Sequence, residues 1–298
     1  MKNLLEKCML CPRNCGANRL VGEYGFCHAG KKPKVARSAL HFWEEPCLSG
    51  EKGSGTVFFS NCTLKCAFCQ NSAISAHGMG EEISCERLGE LFLEQQANGA
   101  LNINLVTPTH YIPQIISALD YAKGHGLSIP IVYNCGGYEK ASSIRLLEGY
   151  VDIYLPDFKY YNDKYAIKYS NAPHYFEHAA SSLSEMVRQT GKMKFDSQGI
   201  AVSGTIVRHL MLPGLLFDSK KVLDYLHSAY ADDIYISIMN QYTPVNRHDK
   251  FPELNKKISP DYYNCLIDYA VGIGIKNAYI QGADTADESF IPEFYNKL

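Results

Sequence analysis

Thr56-Val57-Phe58-Phe59-Ser60-Asn61-Cys62-Thr63-Leu64-Lys65-Cys66-Ala67-Phe68-Cys69-Gln70-Asn71 runs from a β-branched and aromatic stretch straight into three closely spaced cysteines. Thr56 to Ser60 has the composition of a short buried strand. The cysteines that follow, spaced Cys-x3-Cys-x2-Cys, therefore occupy the loop at its C-terminal end. Parallel α/β folds gather their reactive groups at such ends, because the βα loops converge there.

The same rhythm continues downstream. Strands are predicted at Asn102 to Val106, Ile131 to Asn134, Val151 to Leu155, Ala201 to Arg208, Ile234 to Met239 and Ala278 to Ile280. Between them fall helical patterns at Cys85 to Asn98, Pro113 to Lys123, Ala141 to Glu148, Pro173 to Thr190, Ser219 to Ala229 and Pro260 to Val271. Ser259 before Pro260 reads as a helix start, with a capping hydroxyl and a proline at the first helical position. Six or seven βα units over roughly 240 residues predict an α/β fold, a partial or complete TIM-type (β/α) barrel of parallel strands, since a full barrel takes about 250. A doubly wound open sheet is the competing topology.

Residues 1–50 lack this rhythm and are rich in Cys, Gly and basic residues, so they read as a small N-terminal metal-binding module ahead of a barrel domain at 51–298. Ser49-Gly50-Glu51-Lys52-Gly53-Ser54-Gly55 connects the two and lacks the Gly-Lys-Ser/Thr of a phosphate loop. Cys8, Cys11, Cys15 and Cys27 supply four thiolates around a Gly-rich turn, as in a closed metal site. Zinc and mononuclear iron suit four sulfurs equally. An auxiliary iron-sulfur cluster is the alternative, although the spacing differs from the common two-cluster ferredoxin run. Cysteines crowded into the first 69 residues argue for metal ligation over disulfides in a reducing compartment.

With 29 basic and 31 acidic residues the chain offers no electrostatic footprint for nucleic acid or an anionic membrane. MKNLLEKC has no apolar stretch long enough for a signal peptide, and nowhere do eighteen apolar residues run together, so a cytoplasmic location is expected.

Three thiolates as close as Cys62, Cys66 and Cys69 can each take one iron of a cubane [4Fe-4S] cluster, and no fourth cysteine is near. An iron without a protein ligand is open to an external chelate, as a catalytic metal keeps a position for substrate. The motif, including the aromatic Phe68 before the last cysteine, resembles the signature of the radical S-adenosylmethionine (SAM) superfamily. That resemblance implies SAM chelated to the open iron, an electron delivered by a flavodoxin or ferredoxin, and cleavage to methionine and a 5'-deoxyadenosyl radical that abstracts hydrogen from substrate. It also implies that Phe68 lies near the adenine.

Further residues at strand ends extend the resemblance. Asp157-Phe158-Lys159 resembles the Asp-x-Lys motif of pyruvate formate-lyase activating enzymes, and in an extended chain both side chains point the same way. Arg208, before a Leu-Pro-Gly turn, and Asn134, before paired glycines, match the same family. Asp157, Lys159, Arg208 and Asn134 are thereby expected around SAM. Val106-Thr107-Pro108-Thr109-His110 departs from the Gly-Gly-Glu segment usual at this position, so Thr107 and Thr109 are cofactor contacts by position only. The branch implied is that of glycyl-radical activases, with a glycyl radical enzyme as partner. Modification of another peptide, a nucleoside or a metabolite is the alternative, and a non-catalytic iron-sulfur protein a further one.

Overall fold

The computed structural model describes residues 2–244, 248–282 and 294. Its strands are β1 (Lys34–His41), β2 (Ser54–Phe59), β3 (Glu81–Glu82), β4 (Ile103–Val106), β5 (Ile131–Cys135), β6 (Ile153–Pro156), β7 (Lys194–Phe195), β8 (Ala201–Leu210), β9 (Tyr235–Met239) and β10 (Ala278–Ile280). They share one sheet in the order β10-β9-β8-β6-β5-β4-β2-β1-β3, with β7 pairing to β8. From β2 to β10 the path is parallel throughout and follows chain order. A doubly wound sheet reverses its order at a switch point. No reversal occurs among the described residues, so the crossovers all step one way, as in a barrel. The outermost strands β10 and β3 do not pair with each other among the described residues, which makes the barrel partial.

Each parallel strand matches one predicted from the sequence. Sequence patterning missed β1 and β3, which pair antiparallel at the edge, and the two-residue β7. It also missed the helix Asp163–Ser170, capped by the Asn162 side chain, and started the next helix two residues early, since Tyr175–Thr190 follows His174 in left-handed conformation at φ 56°. Ser84 caps Cys85–Ala97 by accepting from the Arg87 amide at 3.0 Å. Ser259 and Pro260 do open the helix Pro260–Gly272, but the Ser259 hydroxyl makes no capping bond.

Alternation along the strands divides the interior. Tyr133, Tyr154 and Leu105 point outward into the core under the helices Cys85–Ala97 and Ile112–Gly124, while Val207 and Ile236 pack under the later helices. Val132, Ile153, Leu155 and Ile206 point into the barrel, where they meet Cys47 and Leu48. These two residues belong to the short helix Pro46–Ser49, so a segment that precedes β2 closes the barrel from within. Leu48 is fully buried, worth about 2 kcal/mol of apolar transfer. Its carbonyl accepts from Asn102 Nδ2 at 2.7 Å, and the Gly53 amide returns to the Ser49 carbonyl at 2.7 Å. No helix among the described residues is long and apolar enough to cross a membrane.

His209 on β8 is buried, and its Nδ1 donates to the Phe158 carbonyl at 2.7 Å. Burial holds its pKa down to about 4, against the pull of that bond. A free imidazole protonates near 6.5, so the unfolded chain takes up this proton first as pH falls. The stability associated with neutral His209 is present above 6.5 and is lost between 6.5 and 4, up to roughly 3 kcal/mol. His209→Asn keeps a donor for the Phe158 carbonyl and removes the titration. Its melting temperature is expected to fall less between pH 7.5 and pH 5 than that of the wild type, and equal falls would refute the assignment.

Candidate metal and cofactor site

β2 ends at Phe59, and the chain turns at Asn61, a non-glycine residue at φ 73°. This left-handed conformation carries a cost, offset by the bonds that hold it. The Asn61 amide donates to the Ile74 carbonyl at 2.8 Å, and its side chain reaches Tyr111 Oη at 3.3 Å and the His28 carbonyl at 3.4 Å. The loop beyond is tied to the end of the helix Asp163–Ser170: the Lys65 amide donates to the Ser170 carbonyl and the Ala67 amide to the Tyr169 carbonyl, at 3.1 and 2.8 Å.

Cys62, Cys66 and Cys69 line one cavity of about 740 Å³. Each sulfur has one hydrogen-bonding neighbour. The Leu64 amide donates to Cys62 Sγ at 3.4 Å, the Ser170 hydroxyl donates to Cys66 Sγ at 3.0 Å, and the Ser75 hydroxyl lies 3.2 Å from Cys69 Sγ. Donors of this kind orient thiolate ligands and stabilise their charge. Burial, then the neighbouring cysteine sulfur, pushes the Cys62 thiol up to about 12. Burial likewise raises Cys66 to about 11, against the Lys159 ammonium. Without a metal these two therefore stay neutral at physiological pH, and ligation must expel their protons.

Among the described residues no group of three or more His, Cys, Asp and Glu side chains is drawn together around a single ion. A cubane binds each thiolate on a different iron, so its ligands stand farther apart than a mononuclear shell, and the three-sulfur donor set fits it.

The opposite wall is polar. Asp157 Oδ1 accepts from Arg208 Nε at 3.0 Å, and its Oδ2 meets Lys159 Nζ at 2.5 Å. Arg208 Nη2 donates to Asn134 Oδ1 at 2.6 Å, and Nη1 lies 3.6 Å from Glu44 Oε2. Burial pulls the Asp157 carboxyl up, but the Lys159 and Arg208 cations outweigh it and hold the group below the usual carboxylate range. Burial works against the Lys159 ammonium too, and Asp157 reverses the balance, so the lysine is charged.

Phe68, Thr107, Asn134, Asp157, Lys159 and Arg208 all line the cavity with the three cysteines. Thr107 sits at φ 60° on the end of β4 and donates its amide to the Asn134 carbonyl at 2.8 Å. Thr109 lies elsewhere: it is buried, and its hydroxyl donates to Glu139 Oε1 at 2.6 Å. His110 is buried beside it, with Nε2 2.8 Å from the Ser60 carbonyl, where it steadies the turn before Cys62. Sequence reading missed His41, Phe42, Trp43, Glu44 and Glu45, which enter the cavity at the end of β1 and on the segment that follows it. The unread strand gave no signal that this segment turns inward.

In the N-terminal loop, the Cys8 amide donates to the Ala17 carbonyl at 3.0 Å and the Gly16 amide to the Cys8 carbonyl at 2.9 Å. Cys8, Cys11 and Cys27 are buried and Cys15 is exposed. Burial raises the Cys11 thiol to about 12, with Cys27 and Cys8 near enough to add to the shift, and Cys27 in turn feels Cys8 and Cys15. Among the described residues the four are not closed into a single-ion shell.

Several solved structures share this fold. SuiB of Streptococcus suis bound to S-adenosylmethionine superimposes with a TM-score of 0.50 at 13% identity, over 76% of this chain and 49% of that one. SuiB bound to precursor peptide SuiA gives 0.50 at 12% identity, over 76% and 47%. The FeFe-hydrogenase maturase HydG from Carboxydothermus hydrogenoformans gives 0.51 at 14% identity, over 78% and 54%. The chain thus spans about half the length of these proteins, and at such identities the likeness is one of fold. In sequence it is 28% identical over 268 residues to uncharacterized protein MJ0674 of Methanocaldococcus jannaschii, covering 87% of this chain and 72% of that protein. No family model matches the sequence.

Gly137 makes the wall possible. At φ 77° a Cβ there would stand 2.0 Å from the Asp157 carbonyl oxygen and 2.7 Å from the Tyr175 hydroxyl, which itself accepts from the Lys159 amide at 2.9 Å. Gly149, at φ 80°, has nothing within 4 Å of such a Cβ. Gly149→Ala is expected to cost about 1 kcal/mol, the backbone term alone. Gly137→Ala should cost at least about 3 kcal/mol, because a backbone carbonyl cannot step aside. Denaturant melts of the two variants test this, and equal losses would show that the close approach is not limiting.

Proposed function

We propose that the chain is a radical SAM enzyme. The observation that carries this reading is that three sulfurs, each met by a hydrogen-bonding group, share one cavity with the Asp157, Lys159, Arg208 and Asn134 cluster at the strand ends. Cys62, Cys66 and Cys69 would hold a 4Fe-4S cluster, which would supply the electron for reductive cleavage of SAM to methionine and a 5'-deoxyadenosyl radical.

The chain's own residues then bind and orient. The Arg208 guanidinium, fixed by Asp157 and Asn134, and the Lys159 ammonium present cationic groups to a carboxylate such as that of SAM. Asp157 and Glu44 offer acceptors to hydroxyl or amino groups. Phe68, tilted against Tyr242 at 6.4 Å, offers a ring face to the adenine. The structure of SuiB with S-adenosylmethionine on the same fold supports this use of the cavity.

We further propose that the hydrogen donor is a polypeptide, a glycine of a partner glycyl radical enzyme by the Asp157-x-Lys159 resemblance, with the electron coming from a flavodoxin or ferredoxin. Phe42 and Trp43, 51% and 63% exposed, line the same cavity and give a polypeptide an apolar lip. Cys8, Cys11, Cys15 and Cys27 are proposed to hold zinc or iron in a structural role.

Anaerobic reconstitution with iron and sulfide, reduction, addition of SAM and chromatography of 5'-deoxyadenosine test the reading. The nucleoside is expected from the wild type and at least a hundredfold less from a variant carrying Cys62→Ala, Cys66→Ala and Cys69→Ala. A protein that loads a full cluster and never cleaves SAM would instead be an electron carrier.

A further inference from the structure

Arg13 lies within the cysteine pair Cys11-Pro12-Arg13-Asn14-Cys15 yet spends its side chain elsewhere. Its backbone amide faces the Cys11 sulfur. Its Nε donates to the Thr63 carbonyl at 3.0 Å, between Cys62 and Cys66, and its Nη2 donates to the Asn171 carbonyl. Asn171 terminates the helix Asp163–Ser170 at φ 49°, and that helix end holds the iron-binding loop through Tyr169, Ser170 and the Cys66 sulfur. The guanidinium carbon sits over two aromatic rings, 3.7 Å from the Phe26 centroid and 5.0 Å from that of Tyr138.

Cys62 is gripped from its other side as well. Buried Arg19 donates to the His110 carbonyl at 2.6 Å, and the His110 ring meets the Ser60 carbonyl at 2.8 Å. Two arginines of the N-terminal segment thus bear on the backbone on either side of Cys62, one on Ser60 through His110 and one directly on Thr63. The direct contact is the informative one. Bonds from a charged donor are stronger than neutral ones, and Arg13 places its pair on two segments that must stay in register for Cys62 and Cys66 to face one cavity. Only a planar fork reaches both carbonyls while stacking on Phe26.

Resting on the reading of Cys62, Cys66 and Cys69 as iron ligands, we propose that Arg13 is a positioning residue that holds the Cys62 to Cys69 loop in its ligating conformation and couples the N-terminal cysteine loop to it. Ordinary attachment of the N-terminal segment has a separate anchor, the buried Ser143 hydroxyl, which donates to the Leu10 carbonyl at 2.7 Å, away from the Thr63 and Asn171 carbonyls that Arg13 engages. The two roles can therefore be separated.

Wild type, Arg13→Gln, Arg13→Lys and Ser143→Ala are to be reconstituted anaerobically. Loss of cluster absorbance to an iron chelator, the EPR spectrum of the reduced protein and the melting temperature are then recorded. Loss of the two charge-assisted bonds predicts iron release at least roughly tenfold faster in Arg13→Gln, with an altered reduced spectrum. Arg13→Lys, which retains charge but not the fork, should fall between, and it carries the test if the glutamine variant folds poorly. Ser143→Ala is expected to melt lower while releasing iron at the wild-type rate. Arg13 variants with wild-type release and spectrum, or Ser143→Ala with release as fast as theirs, overturn the proposal. A wild-type protein that shows no 4Fe-4S absorbance beyond that of the Cys62→Ala, Cys66→Ala, Cys69→Ala variant overturns the iron-ligand reading itself and this inference with it.

Discussion

One carboxylate organises the polar wall. β6 and β8 pair over only two residue steps, Ile153 with Gly204 and Tyr154 with Thr205, and meet again at the bridge between Asp157 and Arg208. Asp157 spans that junction with one oxygen on Arg208 and the other on Lys159. Two cations and one anion in a cavity carry a desolvation cost that is offset only when each is well bonded. Asn134 and Glu44 complete the set around Arg208. Strand pairing, the Gly137 turn and the Tyr175 hydroxyl all converge on the backbone of Asp157 and Lys159, so the charges stand on a rigid frame.

The facing wall is built on a different principle. Burial holds the Cys62 and Cys66 thiols neutral, and each of the three sulfurs already has a hydrogen-bonding neighbour in place. The loop that carries them holds its shape through bonds from other segments: the helix end at Tyr169 and Ser170, His110, and Arg13 of the N-terminal segment. Pre-organisation of this sort shifts the cost of ordering the loop from ligation to folding.

The parallel strands were legible because β-branched runs between helical patterns leave few alternatives, and the cysteine loop because its spacing is so restrictive. Other features left no local trace. β1, Lys34-Val35-Ala36-Arg37-Ser38-Ala39-Leu40-His41, mixes basic and small residues and shows no clean alternation, since it covers an edge of the sheet. Glu44 and Glu45 reach Arg208 only because that strand sends the chain inward, a consequence of tertiary structure. Position after β4 points Thr109 toward a cofactor, but a single 3-10 turn at Thr109–Tyr111 directs it and the neighbouring His110 into the protein, toward Glu139 and Ser60.

The floor of the cavity has an unusual origin. Most βα barrels fill their interior with strand side chains, so depth is tuned by exchanging large residues for small ones. Here Cys47 and Leu48 on the Pro46–Ser49 turn rest on Val132, Ile153 and Ile206, and the chain is fixed at either end by β1 and β2. The same connection between His41 and Ser54 therefore carries both the plug and Glu44 of the polar wall, so the depth of this cavity and the charge on its wall are tied to one stretch of chain.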